Sequence, residues 1–219
     1  MIAAATGPAV PAPLTLQSLP LFPLSAVLFP DGLLSLRVFE VRYLDMISKC
    51  HKAGAPFGVV TLTQGQEVRQ PGVAEAFSQV GTLATIHAFE NPQPGLMLVR
   101  ATGAQRFRVT RSEQLKHGLW VADVESIPSD LAVPVPEDLQ PTADALQRLI
   151  QSLQLKPDQA GPMPLLPPWR LDDCGWVANR WCELLPLPVA LKQRLMELDN
   201  PLVRLELVSD VLARTGITI

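Results

Sequence analysis

Cys50 and His51 are the adjacent pair in this chain that most resembles a nucleophile and its general base. A cysteine nucleophile needs a base within hydrogen-bond distance of its thiol. The surrounding residues predict a helix, in which adjacent side chains point about 100° apart and do not face each other. We therefore interpret Cys50 as a buried apolar side chain. His51, with Lys49 and Lys52, would then complement the negative end of the helix dipole.

Other patterns for catalysis or metal binding are missing from the sequence. The chain has no GxxxxGK[ST] segment to cradle the phosphates of ATP and no serine in a GxSxG context. His87 and His117 lack the spacing of metal ligands. Cys50, Cys174 and Cys182 form neither a CxxC pair nor an even-numbered disulfide framework. We therefore predict no catalytic residue, no metal and no cofactor, and a protein that is not an enzyme.

The composition predicts a soluble globular protein. The chain has 219 residues, a hydrophobic content of 47% and a formal net charge of −3, enough for one large or two small domains. No apolar run approaches the roughly 18 residues that a membrane span needs. Residues 1–18 lack a positive region and contain three prolines, so we interpret them as a disordered tail and not as a signal peptide. These features favour the cytoplasm and no membrane partner.

Residues 19–126 read mostly as strands with one helix. The helix is predicted over residues 41–53 and stops at Gly54. Gly103 is predicted to form a tight turn between two strands. Alternating or continuous apolar residues predict strands at 33–39, 57–62, 80–89, 96–101, 105–110 and 119–124. Glu40 and Arg42 follow the first of these strands, and we expect them to hold that corner by hydrogen bonds or an ion pair.

The carboxy-terminal part reads as helical. Residues 127–141 hold four prolines and three acidic residues, which is typical of a semi-rigid linker. Beyond this linker, residues 142–219 are predicted to form a helical bundle, because the hydrophobic period changes from two to 3.6. Asp172 or Asp173 is the expected N-cap of one helix, and Asn200 with Pro201 is the expected start of another.

Several motifs occur in the order and approximate spacing of a known family. They are LPLFPL, a second LFP, LRVFEVRY, GAPFGVVTL, VGTLATIHAF, LMLVRATGAQRFRV, WVADVESI and, near the end, WVANRWCELLPLPVALKQRLMELDNPLVRLELVSDVL. The chain resembles the LON substrate-binding family, the amino-terminal domain of Lon proteases, over residues 19–213. The resemblance implies an α+β fold, with a β-rich PUA-like amino-terminal subdomain at 19–126 followed by the helical bundle.

The resemblance also implies a function. In this family the domain recognises unfolded or hydrophobic polypeptide segments, while an AAA+ motor and a protease module follow it in the full-length enzyme. This chain stops at Ile219, before either module. The expectation is a non-catalytic polypeptide-binding or adaptor module, with a Lon-type protease as a further partner.

The segment AGPMPLLPPWRLD, residues 160–172, contains the candidate substrate-binding residues. Met163, Leu165, Leu166 and Trp169 lie among four prolines, so the segment is extended and not helical. One interpretation is a loop that covers the core of the bundle, and we favour it. The other is an exposed apolar surface that binds polypeptide.

Two alternatives come from other classes of protein. Arg100, Arg106, Arg108 and Arg111 fall within twelve residues, and PUA-like relatives include RNA-binding proteins. However, Arg106 and Arg108 alternate with apolar residues, as on any strand with a solvated face, and the net charge is negative. RNA is therefore the less favoured partner. A small-molecule pocket between the two halves is the other alternative.

Overall fold

Six strands of the described residues form one mixed sheet. The computed structural model describes residues 14–68, 72–155 and 163–215. The strands are β1 (Thr15–Leu24), β2 (Leu33–Val38), β3 (Phe57–Gln64), β4 (Ala76–Gln93), β5 (Leu96–Gln114) and β6 (Trp120–Ser126). They lie in the order β2-β5-β4-β3-β1-β6, and β5 also pairs with β6. This last pairing closes five strands into a barrel and leaves β2 at a free edge.

One helix connects the strands, and the others follow the sheet. They are α1 (Val41–Ala53), α2 (Gln140–Leu155), α3 (Cys174–Leu184), α4 (Val189–Glu197) and α5 (Pro201–Thr215). Gly54 ends α1 with a φ of 60°, and Asp173 caps α3 by accepting a hydrogen bond from the Trp176 N–H at 2.8 Å. Asn200 caps α5 in the same way. The predicted α+β class and these helix ends are confirmed. None of the described helices is long and apolar enough to cross a membrane.

Two predicted boundaries differ from the structure. Strand β1 begins at Thr15, where it pairs with Glu125 of β6, so residues 15–18 belong to the sheet and not to the predicted tail. Helix α2 begins at Gln140, inside the segment predicted as a linker. Proline is compatible with the first turn of a helix, so Pro141 does not delay its start. The remainder of the predicted tail, residues 1–13, lies outside the described residues.

The predicted turn at Gly103 is wrong, because Gly103 lies inside the continuous strand β5. The turn that joins β4 to β5 lies at Gly95, which has a φ of 79°. Gly103 donates a hydrogen bond to the Gly32 carbonyl at 2.9 Å and accepts one from the Asp31 N–H at 2.8 Å. A methyl group on Gly103 would overlap the carbonyl oxygen of Phe29. Glycine is needed here for this close approach of two backbones and not for a turn.

Three apolar clusters form the core. Two of them belong to the sheet and α1. The third contains the buried faces of the four carboxy-terminal helices, but it also includes Phe29 and Val80 from the amino-terminal half. The helices therefore pack directly onto the sheet, and the division into two subdomains at 127–141 stays a prediction.

The corner between β2 and α1 is held by a buried arginine. Arg42 is 6% exposed, and its side chain donates to the Glu40 carboxylate at 3.2 Å and to the Gly118 carbonyl at 2.7 Å. It lies 3.6 Å from the Glu75 carboxylate and 4.5 Å from the centre of the Tyr43 ring. The predicted ion pair at this corner is confirmed.

Arg42→Ala should lower the free energy of unfolding substantially, because the buried Glu75 carboxylate loses its positive counter-charge and the Gly118 carbonyl loses its shorter hydrogen bond. Removing one member of a buried pair costs roughly 3–5 kcal/mol, and the partial exposure of Glu40 reduces this. Thermal and urea unfolding measure the loss. The control is Arg108→Ala at an exposed position of β5, which should change stability by about 0.5 kcal/mol or less. Equal stabilities of the two variants would contradict the assignment.

Candidate functional site

A groove of about 700 Å³ separates one face of the sheet from residues 166–170. We call it the sheet–loop groove. Three strands supply its floor, and an irregular segment before α3 together with Trp176 of α3 supplies its wall. The floor residues are Leu33, His87, Ala88, Arg100 and Thr102, and the wall residues are Leu166, Pro167, Pro168, Arg170 and Trp176.

Strand register places the floor residues on one face. Leu33 of β2 lies opposite Thr102 of β5, and Arg100 of β5 lies opposite Ala88 of β4. Directly opposed residues of antiparallel strands project to the same side of a sheet, so these four side chains share the floor. The His87 imidazole hydrogen-bonds to the Thr102 hydroxyl, which adds a polar group between apolar neighbours.

The four predicted binding residues do not all face the groove. Leu165 is 1% exposed and belongs to the core of the helices. Met163 and Trp169 are partly buried against the same core, and the Trp169 ring meets the Trp176 ring edge-on at 6.2 Å. Of the four, Leu166 lines the groove. Leu165 therefore has no surface to offer a ligand, and Met163 and Trp169 help to cover the core.

Ion pairs and backbone contacts fix the end of the groove. Arg170 pairs with the Asp31 carboxylate. The fully buried Arg180 donates to the carbonyl oxygens of Asp31 and Pro30, each at 2.6 Å, and to the Glu183 carboxylate at 2.9 Å. Burial raises the pKa of Glu183 to about 8, although Arg180 opposes this rise. The turn before β2 is thus bound to α3 through one guanidinium.

A second polar cluster joins the sheet to the helices. Arg106 of β5 and Arg204 of α5 are 4% and 1% exposed. Both guanidiniums bind the Asp130 carboxylate, at 3.1 Å and 2.5 Å. Arg106 also donates to the carbonyl oxygens of Met196 and Leu198 at 2.9 Å and 3.3 Å. These contacts fasten β5 to the end of α4 and the start of α5.

Sequence reasoning missed this cluster because the pattern around Arg106 predicts a solvated face. In the structure Arg106 and Phe107 are both buried, because both faces of β5 are covered. Phe107 packs into an apolar cluster of the sheet, and Arg106, on the opposite face, contacts Met196 and Asp130. A cavity of about 210 Å³ borders the cluster at the junction of sheet and helices. No sequence motif marks Arg204 as its partner.

The described residues contain no group of side chains arranged to hold a metal ion. Cys50 is buried, as predicted, and its thiol contacts the Pro56 carbonyl. His51 lies in the last turn of α1, as expected, and its ring packs against the Phe89 ring with 5.0 Å between ring centres. Burial raises the pKa of Cys50 and Cys174. Such thiols are protonated at neutral pH and are poor nucleophiles.

The sequence and the fold define a substrate-binding class of domain. The family model for the ATP-dependent protease La (LON) substrate-binding domain matches residues 18–214. The chain therefore belongs to this family, which is defined by recognition of substrates and not by their cleavage.

Two solved structures are similar to this chain. A Lon N-terminal domain protein from Xanthomonas campestris is 31% identical, with a TM-score of 0.66, over 89% of this chain and 98% of that chain. The N-terminal domain of Mycobacterium avium complex Lon protease is 15% identical, with a TM-score of 0.57, over 93% of this chain and 100% of that chain. The second likeness shows the fold alone. Among curated proteins none matches this chain.

Asp130→Ala should destabilise the protein strongly, because two buried guanidiniums would lose the carboxylate that they share. The expected loss approaches the roughly 3–5 kcal/mol of a broken buried ion pair. Asp210→Ala, at an exposed position of α5, is the control and should be near neutral. Urea unfolding of both variants tests the assignment, which fails if Asp130→Ala is as stable as the control.

Trp169→Ser should lower the melting temperature by roughly 4–8 °C, because losing about 2 kcal/mol of apolar burial has this effect in a chain of this size. Leu166→Ser is the matched control in the same segment, since its side chain faces the groove. Its melting temperature should stay close to that of the wild type. The reverse order of the two melting temperatures would show that the assignment of core and groove sides is wrong.

Proposed function

We propose that this chain is a non-catalytic polypeptide-binding module, and that unfolded or hydrophobic segments bind in the sheet–loop groove. The observation that carries the proposal is the chemistry of the groove. Leu33, Ala88, Leu166, Pro167 and Trp176 give it an apolar floor and wall, and a few polar groups lie between them. This combination is typical of binding sites in which apolar contacts supply affinity and polar groups orient the ligand.

The rigidity of the wall supports the proposal. Pro167 and Pro168 restrict its backbone, and the neighbouring side chains of Leu165 and Trp169 pack on the core of the helices. A wall that is already ordered loses little conformational entropy when a ligand binds. The groove accommodates only a few side chains, so we expect affinities in the micromolar range or weaker and broad specificity.

Membership of the LON substrate-binding family points in the same direction. It also makes a Lon-type protease a reasonable second partner, to which the module would present the segments that it binds. This partnership is a proposal that rests on the family alone.

The burial of Arg106 and the negative net charge disfavour RNA as the ligand. Arg106 is buried and bound to Asp130, so it is not available to phosphates. Arg111 lies 3.9 Å from the Glu113 carboxylate. The net charge of −3 opposes a polyanionic ligand as well.

Leu166→Ser should weaken the binding of an unfolded polypeptide by about tenfold, since the loss of one buried leucine is worth roughly 1.5–3 kcal/mol and tenfold corresponds to 1.4 kcal/mol. The probe is fluorescein-labelled lactalbumin that has been reduced and carboxymethylated, and the measurement is fluorescence anisotropy. The matched control is Leu131→Ser, because Leu131 is 81% exposed and lies outside the groove. Its affinity should equal that of the wild type.

The same titration at low and high salt separates apolar from ionic binding. The loss of affinity caused by Leu166→Ser should be the same at both salt concentrations, because apolar burial is hardly screened. Equal losses in the Leu166 and Leu131 variants, or a Leu166→Ser loss that disappears at high salt, would contradict apolar binding in the groove.

A further inference from the structure

We propose that the polypeptide binds by adding a strand to the free edge of β2, and that the preferred segment alternates apolar with acidic residues. The inference rests on the proposed function and names the geometry and the chemical class of the ligand. It is carried by the backbone of β2, by the charges beside it and by the apolar surface on its other face.

The edge of β2 has unpaired backbone groups. Gly103 of β5 donates a hydrogen bond to the Gly32 carbonyl. In an antiparallel pair, every second residue of a strand bonds to the neighbouring strand through its N–H and C=O groups, and the residues between point these groups to the other side. Given the register of β2 with β5, Leu34, Leu36 and Val38 bond to β5. The N–H and C=O groups of the alternate residues Leu33, Ser35 and Arg37 therefore point away from the sheet, and within the described ranges no hydrogen bond reaches them. Such a row is the template on which an extended chain pairs.

Strand β2 has few features that would prevent another chain from pairing with its edge. Strands at a free edge commonly carry proline, lysine or a bulge that prevents pairing with another chain. The sequence of β2 is LLSLRV, and its register with β5 is regular from Leu33 to Val38. Arg37 is its single charged residue. The backbone of β2 is therefore able to pair with an added strand.

The charges beside the edge indicate that one face of the bound segment carries acidic residues. Ser35 lies opposite Arg100 on β5, so Arg37 and Arg100 are diagonal neighbours on the face of the groove. Both are exposed, and neither has a carboxylate partner in the part of the chain that the structure describes. Acidic side chains of an added strand on this face would lie beside two unpaired guanidiniums at the rim of the sheet–loop groove. This part of the ligand is distinct from the apolar side chains that bind between floor and wall.

The residues on the other face of β2 indicate that the opposite face of the bound segment is apolar. Leu34 and Leu36 are only partly buried against the sheet core, and Phe39 is 55% exposed at the end of β2. A cavity of about 260 Å³ runs along the edge, lined by Ser35, Leu36, Arg37 and Phe39 and by Phe22, Glu67 and Val68. Apolar side chains of an added strand would extend the core over these residues.

The first test uses a fluorescein-labelled peptide of ten residues in which valine alternates with glutamate. Ser35→Pro removes an outward N–H of β2 without removing a hydrogen bond to β5, whereas Ser35→Thr keeps the donor and serves as the control. The proline variant should bind the peptide at least about tenfold more weakly, as loss of an edge hydrogen bond and of close strand approach would give. The threonine variant should bind it like the wild type.

The second test leaves the protein unchanged, so it does not depend on folding of the proline variant. Two versions of the peptide carry N-methyl groups on alternate residues, one on the valines and one on the glutamates. Only one of these sets of amides can face β2 in a paired strand. One methylated peptide should therefore lose binding while the other keeps it.

The outcomes separate this inference from the proposed function. If the wild type binds carboxymethylated lactalbumin but both methylated peptides bind equally well, strand addition is wrong and groove binding stands. If valine–lysine peptides bind as tightly as valine–glutamate peptides, the acidic preference is wrong. If the wild type binds neither lactalbumin nor the peptide, both proposals fail.

Discussion

The Asp130 carboxylate, shared between two buried arginines, fixes how the sheet meets the helices. Arg106 reaches it from β5 and Arg204 reaches it from α5. Apolar burial supplies most of the favourable free energy of folding, but it is not directional. Desolvation of the buried ion pairs is unfavourable, but the pairs define a geometry, since each guanidinium needs partners at set distances and angles. Sheet and helices therefore have one relative position.

The sheet–loop groove follows from this position. Its floor belongs to the sheet, and its wall belongs to the segment that enters α3. Arg180 binds the carbonyls of Pro30 and Asp31 just before β2, and Gly103 allows the same turn to approach β5. These contacts set both the mouth of the groove and the start of the free edge. The groove and the free edge of β2 are thus adjacent. An extended polypeptide would contact side chains in the groove and backbone groups at the edge.

Features with a local cause could be predicted from the sequence. Gly54, Asp173 and Asn200 end or begin helices through bonds to residues a few positions away, so their types suffice. Gly103 and Arg106 could not be predicted in this way. Gly103 is required by the turn at Phe29, far away in the chain, and Arg106 finds its partners in the linker and the helices. The prolines around Leu166 distinguish this segment in the sequence, but which of its apolar residues face the groove depends on packing against the bundle.

We propose that polypeptide binds in the sheet–loop groove, where the sheet faces residues 166–170. The most direct measurement is mapping of backbone-amide NMR chemical shifts while unlabelled carboxymethylated lactalbumin is added to the isotope-labelled protein. Binding in the groove predicts saturable shifts at Leu33, Ala88, Thr102, Leu166 and Trp176, with little change on the outer faces of α2 and α5. Shifts confined to those helix faces, with an unchanged groove, would contradict it.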